Sequence, residues 1–255
     1  MSIITLISDW LKHDYYDASI KAALLSRNPD LKIVDIQHQI DTFDQIQASF
    51  VLKSVLSKFP IGTVHFIAIQ SVNNTNSNVF LGISNGQYIL SSQITFLSIL
   101  QIKFEKIIEI ECRMGTFPEL DVFVPIALKL VDGLIPETLG KIIDQLPVVS
   151  TLKPAFEPDK ITAPIQYFDS YGNAIIEVSF EEFEHARQNR KFEIFINSLR
   201  HKTQAIHQNY NSVPENEIFS LFNSLGFLEI GIRMRSIERV LNLNKEASII
   251  IKFYS

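Results

Sequence analysis

The feature that most restricts how this chain can fold is the order of patterns in its first seventy residues. Three short apolar runs, SIITLIS at 2–8, LKIVDI at 31–36 and TVHFIAI at 63–69, are spaced by segments of helical period. In the first spacer Ile20, Ala23, Leu24 and Leu25 recur at helix spacing until Asn28-Pro29-Asp30 stops them. In the second, residues 44–58 repeat the period until Phe59-Pro60-Ile61-Gly62 ends it. A strand, a helix and a strand in succession favour parallel pairing with a right-handed crossover. A nearly continuous apolar run, such as TVHFIAI, suits a strand covered on both faces. The pattern therefore predicts an α/β N-terminal domain with a mainly parallel central sheet.

Further along, NVFLGIS and QYILSS flank Asn85-Gly86, a hairpin signal, and 121–131 reads as a helix. Pro154, Pro158 and Pro164 then fall within LKPAFEPDKITAP, which suits neither a helix nor a central strand. We place the domain boundary there: an α/β domain over 1–153, a Pro-rich linker over 154–164, and a second domain over 165–255. In that second part PIQYFD, NAIIEVSF, FEIFINS, EIFSLF, FLEIGIRM and ASIIIKFYS are strand-like and separated by turns, with short helical pieces at 181–188 and 236–242. This predicts an all-β, barrel-like C-terminal domain.

Composition excludes several classes of partner. The formal net charge is -5 and the longest basic cluster is RHK at 200–202, so no electrostatic footprint for nucleic acid or an anionic membrane exists. No apolar run approaches the length of a membrane span, and the N-terminus lacks the basic lead of a signal peptide, which makes a cytoplasmic location the expectation. The single cysteine, Cys112, has no metal-ligand or redox spacing around it. Asp35, His38, Asp41 and Asp44 are metal-binding types, but their spacing fits no familiar zinc or calcium pattern; a solvated loop and no metal is the expectation. No phosphate-binding glycine loop or nucleophile elbow occurs.

Three places carry candidate chemistry. Asp9 ends the first strand, where open α/β sheets bind ligands, yet it is equally placed to cap the helix that follows. Asp169 and Asn173 lie in IQYFDSYGNAI, and Ser224 lies in NSLG; taken alone both are turns, with Gly172 and Gly226 at positions suited to positive φ.

In order, these pieces resemble the S-adenosyl-L-methionine hydroxide adenosyltransferase family, relatives of the adenosyl-fluoride and adenosyl-chloride synthases. ITLISDWLKHDYYDASIKAALLSRNPDLKIVDIQHQI is similar to the family's opening, with a T-D-F-G segment and an I-V-D-I-x-H-x-I strand. FPIGTVHFIAI resembles its F-P-x-G-T-V-H strand, TFPELDVFVPIALKL its T-F-H-G-R-D-x-F-A-P-x-A segment, YFDSYGNAIIEV its I-D-x-F-G-N strand pair, and NSLGFLEIGI its S-S-x-G-x-L-E-I-A strand. The likeness spans nearly the whole chain.

The resemblance implies a homotrimer with sites between subunits and S-adenosylmethionine or adenosine as ligand, with no further cofactor. It implies that Asp9 holds the ribose hydroxyls, that Asp169 and Asn173 hold the methionine amino group and the adenine edge, and that Ser224 holds the carboxylate. Trp10, beside Asp9, either stacks on adenine or fills core. The departures concern the nucleophile. Gln70, Ser77 and Pro118 stand where the hydrolytic members carry the Asp, Arg and His that orient or activate water, leaving Gln70 and Ser77 to line the nucleophile pocket. Leu225 and Glu119 replace an Arg and a Ser of the halide branch, which disfavours halide chemistry. The expected function is S-adenosylmethionine binding with slow displacement at C5′ by water, giving adenosine and methionine. The alternative is a non-catalytic adenosyl-ligand sensor.

Overall fold

The computed structural model describes residues 2–69, 78–113 and 115–254, and its contacts divide the chain into two units, Met1–Ser150 and Thr151–Ser255. The first unit runs β1 (Ile3–Ser8), α1 (Tyr15–Arg27), β2 (Lys32–Gln37), α2 (Gln45–Leu56), β3 (Val64–Ala68), β4 (Asn78–Ser84), β5 (Gln87–Ser91), α3 (Ile94–Leu100), β6 (Lys106–Glu111), α4 (Val124–Val131) and β7 (Lys141–Ile142). Among the described residues its seven strands form one sheet in the order β2-β1-β3-β5-β4-β6-β7. The pairings β1–β2, β1–β3 and β3–β5 are parallel, while β4–β5, β4–β6 and β6–β7 are antiparallel, so five of the seven strands point the same way.

Alternation along the strands divides the sheet between two cores. Ile4 and Leu6 of β1 pack with Phe66 against Ile20 and Leu24 of α1 and Ala127 of α4. On the opposite face Ile7 and Ile67 meet Ala48 and Leu52 of α2 and Phe96 of α3. Helices on both faces bury every residue of β3, as its nearly continuous apolar run predicts. The Asn85-Gly86 hairpin forms as read: both residues take positive φ, 50° and 68°, the geometry of a turn that matches strand twist. The helix expected over 121–131 begins as a π-helical turn, Glu119–Phe123, and continues as α4.

The second unit runs β8 (Ala155–Glu157), β9 (Lys160–Pro164), β10 (Tyr167–Phe168), β11 (Ala174–Ser179), α5 (Phe180–Arg187), β12 (Lys191–Ile196), β13 (Lys202–Thr203), β14 (Ile218–Phe222), β15 (Phe227–Ile232), α6 (Ile237–Val240) and β16 (Ser248–Tyr254). What reads in sequence as barrel-like is hydrogen-bonded as two antiparallel sheets, β10-β11-β15-β14 and β13-β12-β16-β9-β8. They share one core, in which Ile176, Leu228 and Ile230 of the first meet Ile161, Ile194 and Ile251 of the second. The stretch 154–164 is sheet and not linker. Pro154 precedes β8, Pro158 lies in the β8–β9 turn, and Pro164 ends β9, so none occupies a mid-strand position. α5 starts at a capping box in which Ser179 Oγ accepts from Glu182 N and the Glu182 carboxylate accepts from Ser179 N.

One buried polar group in the first unit gives a measurable signature. His65 on β3 is fully buried; its Nε2 lies 2.8 Å from Gln87 Oε1 and its Nδ1 2.7 Å from Thr5 Oγ1. Gln87 Nε2 donates to the carbonyls of Leu56 and Phe59, so Oε1 is the atom facing the ring and the neutral imidazole keeps its proton on Nε2. Burial pushes the His65 pKa down to about 4, with the Gln87 bond opposing weakly. Between pH 6.5 and about 4 the unfolded chain binds a proton that the folded chain excludes, so stability falls as pH falls through that window. The full depression corresponds to about 3 kcal/mol. Denaturant unfolding at pH 7 and pH 4 should show the parent losing about that much more than His65→Gln; equal losses would contradict the assignment.

Candidate functional site

The second unit carries a cavity of about 590 Å³ whose lining includes Asp169, Asn173, Tyr210, Phe219, Arg233 and Ser236. It lies at the β10–β11 turn. The turn is closed by Asp169 N donating to Asn173 O and Gly172 N donating to Asp169 O, with Gly172 at φ 77°. The Asp169 side chain completes it: Oδ1 accepts from the backbone N–H of Tyr171 (2.9 Å) and of Asn173 (2.8 Å). Oδ2 accepts from Asn173 Nδ2 at 3.1 Å. A carboxylate offers about four acceptor positions, so three bonds leave it one.

Asn173 Nδ2 donates its second proton to Glu229 Oε1, again at 3.1 Å. Two carboxylates thus fix the amide orientation, because neither ionised group can donate to a carbonyl. Oδ1 is what Asn173 retains to offer a ligand, and that ligand group must be a donor. Glu229 is 3 % exposed and also accepts from Tyr210 Oη at 3.1 Å and from Asn223. Burial raises the Glu229 pKa, with the nearby Asp169 charge adding to the effect and the bonds from Tyr210, Asn223 and Asn173 opposing it. Tyr210 is pushed up to about 12 by burial and by the Glu229 carboxylate, so it holds its proton and remains a donor at neutral pH.

These groups share one sheet face. Leu228, Ile230 and Ile232 of β15 enter the core, which leaves Phe227, Glu229 and Gly231 on the other side. Asn173 stands opposite Gly231, whose missing side chain makes room: a Cβ there would lie 2.2 Å from Asn173 Oδ1 and 2.4 Å from Phe219 Cζ. Ser224 is not brought to the cavity. It is exposed in the β14–β15 turn, where Asn223 Oδ1 accepts from Leu225 N and Phe227 N, at the opposite end of β15 from the Asp169 turn. The Asn223–Glu229–Asn173 hydrogen bonds run across the face between the two turns.

In the first unit Asp9 follows the carboxyl end of β1. The order β2-β1-β3 places the reversal of connection between β1 and β3, the point at which open parallel sheets form a ligand crevice. Asp9 N donates to Ala68 O at the end of β3, and Asp9 Oδ2 accepts from Phe43 N at 3.1 Å. It does not cap α1: the N-cap is Asp14. Trp10 packs on Tyr16 and Phe117, with ring centroids 5.3 and 5.6 Å away, and against the α1 side of the core. Gln70 and Ser77, the residues expected beside the nucleophile, lie outside the described residues. Pro118 stands at the entry to the π-helical turn, where it supplies neither acid nor base, and Glu119 is buried.

The expected solvated loop around His38 is a correction. Its side chain is 7 % exposed and sits among Ser8, Asp17 and Asp35, while Asp44 caps α2 by accepting from Gln47 N. Burial works against the charged Asp35 and Lys21, but their 2.7 Å contact outweighs it, lowering the Asp35 pKa and raising that of Lys21. Sequence reasoning also missed Glu229, Tyr210 and Gly231. For two of them a signal exists, since LEIGI alternates and its non-core positions are a charge and a glycine.

An α/β sheet covered by helices on both faces and carrying an acidic strand end, joined in one chain to paired antiparallel sheets with a polar face, defines the fold class. Residues 4–140 match the model of the SAM hydroxide adenosyltransferase N-terminal domain, and residues 163–250 match that of its C-terminal domain. The chain belongs to the SAM hydroxide adenosyltransferase family. It is similar to an (R)-S-adenosyl-L-methionine hydrolase of Methanocaldococcus jannaschii, at 22% identity over 96% of this chain and 93% of the relative. A protein of the same description from Thermus thermophilus is 25% identical over 96% and 97%. A crystal structure of a conserved protein from Thermotoga maritima shares the fold with a TM-score of 0.86 at 24% identity, covering 99% of this chain and 100% of that one.

Gly231→Ala tests the geometry of the polar face. A methyl group must displace Asn173 or Phe219, so we expect a loss of about 1–3 kcal/mol in unfolding free energy. An unchanged melting temperature would show that Asn173 does not sit against Gly231.

Proposed function

We propose that this protein binds S-adenosylmethionine and directs water at its ribose C5′, releasing adenosine and methionine. The observation that carries the reading is Asn173, held by Asp169 and Glu229 in the wall of a nucleoside-sized cavity within a chain of this family. Its free carbonyl suits the exocyclic amine of adenine, a donor, and not the oxo group of hypoxanthine, an acceptor. Asp9 suits the ribose diol, because a carboxylate accepts from two hydroxyls in charge-assisted bonds.

In the reaction an oxygen of water bonds to C5′ as the C5′–S bond breaks. The sulfonium leaves as the neutral thioether of methionine, and the attacking water gives up one proton to solvent. The leaving group is already activated, so the protein has chiefly to align the reactants and exclude bulk water. By the resemblance, Gln70, Ser77 and Pro118 take the places of the Asp, Arg and His that activate water, and a lost general base costs about 10² to 10⁴ in rate. Slow turnover is therefore part of the proposal. Chromatographic assay of adenosine should show formation above the buffer rate, and Asn173→Ala should weaken S-adenosylmethionine binding about tenfold or more. Binding without turnover would leave the ligand-sensor reading; no binding would end both.

We further propose a homotrimer in which Asp9 of one copy and the Asp169–Asn173 turn of a neighbour hold one ligand. Co-refolding equal amounts of Asp9→Ala and Asn173→Ala chains then regenerates about a quarter of intact sites by random assembly. Calorimetric titration reads that fraction. A mixture that binds no better than either variant alone would rule out a site shared between copies.

A further inference from the structure

Beyond the nucleoside groups, α1 and β2 bring together three atoms with the chemistry of metal ligands. Asp17 on α1, Asp35 on β2 and His38 just after β2 present ligand atoms all within 4.8 Å of one another. Asp35 Oδ1 lies 3.4 Å from His38 Nε2, and Asp17 Oδ1 lies 3.6 Å from it. Among the described residues His38 Nε2 and Asp17 Oδ1 are buried atoms with no hydrogen-bond partner of good geometry, and the His38 side chain is 7 % exposed.

Ionised carboxylate oxygens can only accept, so the two Oδ1 atoms repel each other unless a cation, or a proton on His38 Nε2, lies among them. Lys21 is not that centre. Its Nζ binds the outer oxygens, Asp17 Oδ2 at 2.8 Å and Asp35 Oδ2 at 2.7 Å, and leaves both Oδ1 atoms turned towards the imidazole. In that position it orients the carboxylates and cancels one of their two charges. The other ring nitrogen, His38 Nδ1, lies 2.5 Å from Ser8 Oγ. A metal-bound histidine almost always donates its second ring N–H to a neighbouring acceptor, a part Ser8 Oγ can take, and this fixes the ring and leaves the Nε2 lone pair for the cation. Bonds of about 2.1 Å at tetrahedral angles place ligand atoms about 3.4 Å apart, close to both separations measured at Nε2.

We propose that Asp17, Asp35 and His38 form a three-ligand site for a divalent transition cation of the zinc class, with a fourth position left for water. One imidazole and two carboxylates suit such a cation better than magnesium, which takes oxygen donors and keeps its own waters. The cation would tie α1 to the ends of β1 and β2 immediately beside Asp9, since Ser8 supports the ligating ring and Asp9 is the next residue. The inference does not depend on the hydrolase reading.

The test titrates chelator-treated, full-length protein with zinc chloride by calorimetry, with magnesium chloride in parallel, and records the visible absorption of the cobalt(II) form. We expect one zinc equivalent per chain, a melting temperature that rises with zinc, and a tetrahedral cobalt spectrum. Binding should weaken at least tenfold in both His38→Ala and Asp35→Asn; Asp35 is exposed, so the second variant serves should the first fail to fold. Three results would overturn the proposal: no zinc uptake by the parent, as expected if Nε2 merely carries a proton towards the carboxylates; uptake unchanged in either variant, as expected of zinc on the other five histidines; or magnesium binding as tight as zinc.

Discussion

The candidate ligand site depends on one side-chain amide clasped by two carboxylates. Asn173 gives one Nδ2 proton to Asp169 and the other to Glu229, and that pair of bonds settles which end of the amide remains for anything else. The arrangement holds only because each neighbour is itself fixed. Asp169 is tied into its own turn by two backbone N–H groups, while Glu229 is buried and takes bonds from Tyr210 and Asn223. A partly satisfied network of this kind would cost more than an apolar core, whereas a satisfied one specifies a single arrangement. Gly231 supplies the space in which Asn173 stands.

The first unit obtains its polar patch differently. Parallel strands deliver their carboxyl ends to one edge of the sheet, so the segment after β1 meets the loop after β2 and the end of β3 without needing contacts of its own making. Asp9 N reaches Ala68 O, Gln39 N reaches Trp10 O and Ile40 N reaches Ser8 O, which sews these segments together. Asp9, Asp17, Asp35 and His38 are gathered by that topology and by α1. In the second unit the polar groups are instead set by antiparallel register, residue against residue across β11, β15 and β14.

Much of the fold was legible because it rests on local periodicity. The three apolar runs became β1, β2 and β3, the two helical periods became α1 and α2, and Asn85-Gly86 became the β4–β5 turn. Where proline density was weighed above alternation, the reading failed: KITAP is strand β9, paired along its length with β16. The barrel-like expectation is met as far as two antiparallel sheets on one core, since local pattern gives strands but not which edges close on one another. At the site, Asp169 and Asn173 were visible as turn residues of matching chemistry. Tyr210 was not, because its contact with Glu229 spans nineteen positions and follows no motif. His38 was misread because burial of a loop residue depends on α1 folding over it.

The central claim is that Asn173 presents its carbonyl to the amine of a bound adenosyl group. A co-crystal structure with S-adenosylmethionine tests it most directly. The account predicts the adenine amine within hydrogen-bonding distance of Asn173 Oδ1, with Nδ2 still shared between Asp169 and Glu229. A ligand bound away from Asn173, or an adenine ring nitrogen accepting from Nδ2 after the Glu229 bond has broken, would contradict it.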